Sequence, residues 1–173
     1  SDGQAPAAIA ALLTEAGFGA SDFHVLEALG GAEEAMRASR ADAVGDAVFH
    51  PLNVVAVMVI AGEAARILPR APGLDDDLFA HDGQITRREV RALTLSALQP
   101  RCGELLWDIG AGAGSVAIEW MLADPSLRAV AIEENETRAA RIRENAARLG
   151  VPGLRIVTGA APAALDGLPQ PDA

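Results

Sequence analysis

Residues 105–115 read L-L-W-D-I-G-A-G-A-G-S, and this stretch decides the fold. A short apolar strand ends in an acid, three glycines alternate with alanines, and a helix begins at Ser115. Glycine is used where backbone must turn with positive φ or let a ligand touch the main chain. A strand-to-helix turn of this kind also points the free N–H groups of the new helix at whatever lies above it. At the carboxyl end of a parallel strand, such turns bind nucleotides. The candidates are a dinucleotide and S-adenosylmethionine. The dinucleotide fingerprint G-x-G-x-x-G fails from Gly110, because its third glycine position holds Ser115.

The pattern present is Asp108-x-Gly110-x-Gly112-x-Gly114. It resembles the first motif of the S-adenosylmethionine-dependent methyltransferases, in which an acid closes the first strand. Residues Arg128 to Ile132 give a second strand, with Glu133 just past its end. An acid about 20 residues beyond the glycines is placed to accept from both ribose hydroxyls. The same acid, or Glu134, also suits a helix start. In the helix that follows, Ala139, Ile142, Ala146 and Leu149 share one face, Glu134 and Arg138 are spaced for pairing, and Gly150 stops the helix. Leu154 to Thr158 form a third strand and lead into the small-residue turn at Gly159, Ala160 and Ala161. This βαβαβ order predicts an α/β fold with a Rossmann-like sheet.

Upstream, residues 81–91 read H-D-G-Q-I-T-R-R-E-V-R. Thr86 and Glu89 have capping-box spacing, and Val90, Leu93, Ala97 and Leu98 form an apolar face. Together with the glycine motif, A-I-E-E-N-E-T-R-A-A-R-I-R-E-N-A-A-R-L-G at 131–150 and G-A-A-P-A-A-L at 159–165, this run resembles one family closely. It is the family of the precorrin-6Y C5,15-methyltransferases (decarboxylating) of cobalamin biosynthesis.

The resemblance implies S-adenosylmethionine-dependent C-methylation of a precorrin, a tetrapyrrole macrocycle, at meso carbons, with decarboxylation of an acetate side chain. It places the cofactor on Thr86, on Asp108 with Gly110, Ala111, Gly112, Ala113 and Gly114, on Glu133, and on the turn at Ala160 and Ala161. Many methyltransferases carry an acid at the position of Ala160, where it reaches the adenine amine; alanine leaves that contact to backbone groups. No catalytic residue is assigned, since electron-rich meso carbons need little activation. The resemblance also implies homo-oligomers.

Arg87, Arg88 and Arg91 cluster at the start of the helix after Thr86. Arginine forks match carboxylates, and a precorrin carries many, so the three are candidate substrate contacts. All 14 basic residues of the chain are arginine, which weakens that inference, and an exposed helix face explains the cluster equally well.

Nearer the amino terminus, Pro6 marks a helix start, Ile9, Leu12, Leu13 and Ala16 line one face, and Gly17 ends it. His24–Leu29 and Asn53–Ile60 read as strands, the second apolar enough to be buried on both faces. The runs S-D-G-Q-A-P, V-L-E-A-L-G-G and H-P-L-N-V-V-A-V resemble the carboxyl-terminal part of a tetrapyrrole methylase. The expected organisation is therefore a partial methylase domain over 1–67, a proline-rich linker over 68–82, and the first part of a Rossmann-like methyltransferase domain over 83–173. Methyltransferase sheets hold about six or seven strands, more than this chain supplies, which predicts a piece of a longer protein.

Among 173 residues the net charge is −10, which argues against a nucleic-acid partner. Half of the residues are hydrophobic, yet no apolar run reaches membrane-span length, and no signal peptide opens the chain; the expectation is a cytoplasmic protein. The single cysteine, Cys102, and three scattered histidines give no metal-ligand spacing, so no metal is expected. Two other classes stay open. A nicotinamide-dependent oxidoreductase would use the same turn and acid, and a non-catalytic module would bind no nucleotide.

Overall fold

The computed structural model describes residues 2–65 and 67–173, which divide into two compact units, Ser1–Ile67 and Leu68–Ala173. In the first unit, helix α1 (Ala5–Glu15) starts with Pro6 in its first turn, where a missing N–H costs nothing. The Asp2 carboxylate accepts from the amides of Gln4 and Ala5 just ahead of it. The buried face is Pro6, Ala10 and, in part, Leu13, whereas Ile9 and Leu12 are exposed. The expected face is therefore rotated: the small residue Ala10, not the larger aliphatics, meets the sheet side of the helix.

Strands β1 (Asp22–Glu27), β2 (Ala35–Arg40) and β3 (Asn53–Met58) form an antiparallel sheet in the order β2-β1-β3. Phe23 and Val25 of β1 project into a small core with Ala10, Ala41 and Phe49. The second strand escapes sequence reading because it is exposed along its whole length. The expectation that β3 is buried on both faces does not hold. It alternates, with Val55 and Val57 against the core and Val54, Ala56 and Met58 exposed, as an edge strand does.

The second unit carries α2 (Arg88–Leu98), β4 (Leu105–Ile109), α3 (Ser115–Ala123), β5 (Arg128–Glu133), α4 (Glu136–Arg148) and β6 (Arg155–Thr158). The strands are parallel in the order β4-β5-β6. Central β5 is buried from Ala129 to Glu133, as a strand covered on both faces must be. One face presents Leu106, Ala129 and Ala131 to Ile118 and Trp120 of α3, Ile142 and Ala146 of α4, and Leu95 of α2. The opposite face presents Leu105, Val130 and Ile132 to Ala164, Leu165 and Leu168.

After β6 the chain therefore crosses the other face and returns on the far side of β4. There Ala173 donates to the Leu105 carbonyl and accepts from the Trp107 amide at 3.0 Å, while the Asp172 amide bonds the same Leu105 carbonyl. Asp172 and Ala173 thus run along the outer edge of β4, and the winding direction reverses at β4. That reversal is the switch point above which α/β sheets hold ligands.

Leu74 and Phe79 are buried in the core of this unit, so residues 68–82 pack as part of it despite their prolines and acids. Among the described residues no helix is long and apolar enough to cross a membrane.

Candidate functional site

The glycine loop leaves β4 at Ile109 and is tied to the neighbouring strand: the amides of Gly110 and Ala111 both donate to the Ile132 carbonyl, at 2.9 and 3.1 Å. Gly112 and Gly114 have φ of +59° and +75°, which L side chains rarely adopt. The two glycines do different work. A Cβ on Gly114 would lie 2.6 Å from Ile142 Cγ2, so this glycine lets α3 seat on α4. A Cβ on Gly112 would meet nothing nearer than the Gln84 carbonyl oxygen at 3.7 Å, so this glycine keeps the floor of an open cleft clear.

That cleft has a volume of about 370 Å³, and its lining includes Gln84, Gly110, Gly112, Glu133, Arg138 and Ala160. The volume falls in the range of small-molecule sites. Glu133, at the end of β5, is almost fully buried. One carboxylate oxygen accepts from the Gly112 amide at 2.8 Å and the other from the Asn135 amide at 2.9 Å. An ionised carboxylate offers about four acceptor sites, so acceptor capacity remains toward the cleft. Asp108, at the end of β4, accepts from the Ala117 amide at 3.1 Å. Burial, reinforced by the charge of Glu133, pushes its carboxyl up to about 6 despite that bond.

Of the sequence-predicted residues, the fold brings Gly110, Gly112, Glu133, Ala160 and Ala161 together on the cleft. Ala111 and Ala113 are buried beneath the loop, at 9 % and 2 % exposure, and brace it rather than face the cleft. Thr86 does not cap α2: the N-cap position falls on Arg87 with no side-chain cap, and the Thr86 carbonyl is instead bonded by Arg91. Gln84, Ile109, Glu134 and Arg138 also line the cleft without having been foreseen. For Gln84 the only signal was its place in the 81–91 run.

Arg91 is not an accessible substrate contact. It is fully buried, with its Nε 2.6 Å from Glu119 and its Nη1 2.9 Å from Asp76. It also bonds the carbonyls of Thr86 and Leu74 and lies over the Phe79 ring. The expected apolar face of α2 is displaced accordingly: Arg91 and Leu95 are buried, with Leu98 in part, while Val90 and Leu93 face out. Arg87 and Arg88 are exposed and paired with Asp76 and Asp75. Although burial raises the Asp76 carboxyl, hydrogen bonds from Arg91 and Arg87 outweigh it and hold the group below its usual value. Arg138 does not pair with Glu134 as its spacing suggested; it bonds Asp82 at 2.9 Å.

Parallel strands, a glycine loop at the switch point and an acid closing the second strand make the second unit a Rossmann-like sheet of the kind that holds nucleotide cofactors. Residues 77–173 match the family model described as precorrin methyltransferase domain, more than half of the chain, and the chain belongs to that family. Its relatives include a precorrin-6Y C(5,15)-methyltransferase [decarboxylating] from Sinorhizobium sp, 62% identical over 173 residues, which are 100% of this chain and 42% of the relative. The protein of the same name from Mycobacterium tuberculosis (strain CDC 1551 / Oshkosh) is 46% identical over 172 residues, 98% of this chain and 42% of the relative. The chain thus spans 42% of the length of these curated relatives. Among solved structures, the C-terminal domain of precorrin-6Y C5,15-methyltransferase from Rhodobacter capsulatus superposes with a TM-score of 0.57 at 52% identity, covering 60% of this chain and 56% of that one.

Proposed function

We propose that this chain is part of an S-adenosylmethionine-dependent enzyme that methylates meso carbons of a precorrin, with loss of carbon dioxide from an acetate side chain. The observation that carries the proposal is the Gly112–Glu133 pair, a bare backbone floor beside a buried carboxylate at the switch point. When bound, the cofactor supplies an electrophilic methyl group on a sulfonium. Glu133 would accept from the ribose hydroxyls, and Gly110 and Gly112 would admit the ligand against the main chain. Ala160 offers no acid to the adenine amine, so backbone groups of the 159–161 turn would hold that end.

The substrate class is supported by the names of the relatives and by the family model. A carbon nucleophile in an electron-rich macrocycle needs orientation more than activation. Arg87 and Arg88 remain the proposed contacts for substrate carboxylates, each exchanging its aspartate partner on binding. We further propose the organisation foreseen for the chain, a partial tetrapyrrole methylase domain ahead of the methyltransferase sheet, in a self-associating cytoplasmic protein.

Calorimetric titration with S-adenosylhomocysteine tests the cofactor, with NAD as control. Micromolar binding of the first and none of the second is expected; the reverse would make the site a nicotinamide site. Glu133→Ala is expected to weaken S-adenosylhomocysteine binding by about 1–3 kcal/mol, the worth of the lost charged hydrogen bonds. Unchanged affinity in that variant would reduce Glu133 to a brace for the loop.

A further inference from the structure

The stretch Leu74–Thr86 wraps the second unit and is held at a series of points. At its start the amides of Gly73 and Leu74 donate to Glu119, at 2.6 and 2.9 Å. In its middle Asn145 is fully buried, accepting from the Ala80 amide at 2.8 Å and donating to the carbonyls of Ala80 and Ala113, both at 3.0 Å. One side chain of α4 thereby joins this stretch to the glycine loop. At its end the Thr86 carbonyl is fixed by Arg91.

Between Ala80 and Thr86 two side chains tie the stretch to the body of the unit: Ile85 packs against the larger core, and Asp82 supplies the polar anchor. Its Oδ2 accepts from Arg138 Nε at 2.9 Å and lies 3.1 Å from Arg141 Nη1, while Oδ1 accepts from the Gln84 amide at 3.2 Å. Hydrogen bonds from Arg138, the Gln84 amide and Arg141 hold this carboxyl far below the usual carboxylate range, so it is ionised throughout the neutral region. Gln84, fixed by the same carboxylate, lines the cleft, and its carbonyl oxygen is the nearest atom above the open side of Gly112.

We infer that Asp82 is a positioning residue of the cofactor cleft: its clasp on Arg138 and Arg141 sets Gln84 over Gly112 of the glycine loop, and its loss loosens the rim and speeds ligand release. The inference rests on the S-adenosylmethionine reading and adds a residue that touches no ligand. The clasp is partly exposed, with side chains at 34%, 27% and 21% for Asp82, Arg138 and Arg141. Ion pairs of this exposure are screened by salt. A residue that merely stabilised the unit would alter melting, whereas a positioning residue alters ligand dissociation and its dependence on ionic strength.

The test is stopped-flow dissociation of S-adenosylhomocysteine from the whole chain at low and high salt, with thermal melting alongside. For the unaltered chain, dissociation is expected to speed up with salt. Asp82→Asn is expected to dissociate faster by about fivefold at low salt, the order of a partly exposed ion-pair network, and to lose the salt dependence. Asp82→Glu should recover part of the slow release. Arg141→Gln, outside the cleft lining, removes half of the clasp and serves where Asp82→Asn folds poorly; it should show the same trend. If the unaltered chain binds and both variants release ligand at its rate, the positioning role is overturned while the cofactor reading stands. If the unaltered chain binds no S-adenosylhomocysteine, the cofactor reading itself falls and this role falls with it.

Discussion

Gly114→Val is expected to destabilise the second unit strongly, while Gly112→Val, two residues away in the same loop, leaves it nearly as stable and blind to ligand. Both positions have positive φ, so each substitution incurs about 1–2 kcal/mol of left-handed backbone strain. Their surroundings separate them. The Cβ of a residue at 114 would lie 2.6, 3.3 and 3.4 Å from three side-chain atoms of Ile142. Ile142 is fully buried within the larger core, so it has to shift against packed neighbours to make room. Overpacking of that kind adds about 1–3 kcal/mol or more. The sum is a large fraction of the roughly 5–15 kcal/mol by which a domain is stable, and a Tm fall of more than about 10 °C should result.

At Gly112 the nearest atom is an oxygen at ordinary contact distance, so only the strain remains and the Tm falls by a smaller step. The valine would instead fill the cleft floor beside Glu133 and exclude the ligand. Circular dichroism melts and a calorimetric titration of both variants check the pair. A Gly114→Val protein melting near the unaltered chain would contradict the α3–α4 packing. Retained binding in Gly112→Val would place the ligand elsewhere.

This division of labour between neighbouring glycines was not legible in the sequence, although the loop itself was. The glycine motif, β5, β6 and the Ala139–Ile142–Ala146 face of α4 follow from local patterns, and the structure has them where the pattern put them. What local pattern missed depends on distant partners. Arg91 resembles its neighbours Arg87 and Arg88 on paper, yet it is buried because Glu119 and Asp76 converge on it from 28 and 15 residues away. Placing a charged residue at the centre of the buried face turned α2 away from its expected orientation. Asn145 is a polar residue on an otherwise apolar face, and its role emerges only when Ala80 and Ala113 are brought to it. Glu133 was legible as an acid at a strand end. That it also ties down Gly112 requires the return of β5 beside the loop.

Asp108→Asn is expected to stabilise the second unit at neutral pH and to cost it the ligand. The folded Asp108 carboxyl is raised from 3.8 to about 6, first by burial and then by the charge of Glu133. A raised folded value fixes the sign: the folded state holds the proton more tightly than the unfolded chain. The contribution of Asp108 is therefore most favourable below pH 3.8 and declines as pH rises through about 6, above which the buried charge is carried at full cost. A shift of this size corresponds to about 3 kcal/mol. Asp82, Asp76, Glu27 and Asp124 are shifted downward and act in the opposite sense. Only the difference between variant and unaltered chain isolates Asp108.

Urea unfolding from pH 4 to pH 8 should then show the two proteins nearly equal in acid, with Asp108→Asn gaining about 3 kcal/mol over the unaltered chain by pH 8. The asparagine oxygen can still accept from the Ala117 amide, so the hydrogen bond at the start of α3 is retained. A difference that stays flat across this range would mean that the carboxyl titrates normally. The gain carries a functional cost. Asp108 is half-buried and does not line the cleft itself, so it acts on the ligand through charge rather than contact. S-adenosylmethionine brings both a sulfonium and an ammonium group, and a cation nearby favours the ionised form of a carboxyl. Under the proposed function, binding draws the proton off Asp108, so affinity for S-adenosylmethionine should weaken as pH falls below about 6. In Asp108→Asn that pH dependence should vanish and the affinity should be low throughout. Titrations of both proteins at pH 5 and pH 8 separate this outcome from the alternative, in which the variant binds as tightly as the unaltered chain and the raised carboxyl is a by-product of burial. Stability surrendered at Asp108 and recovered on ligand binding is the trade expected of a site residue rather than a core residue.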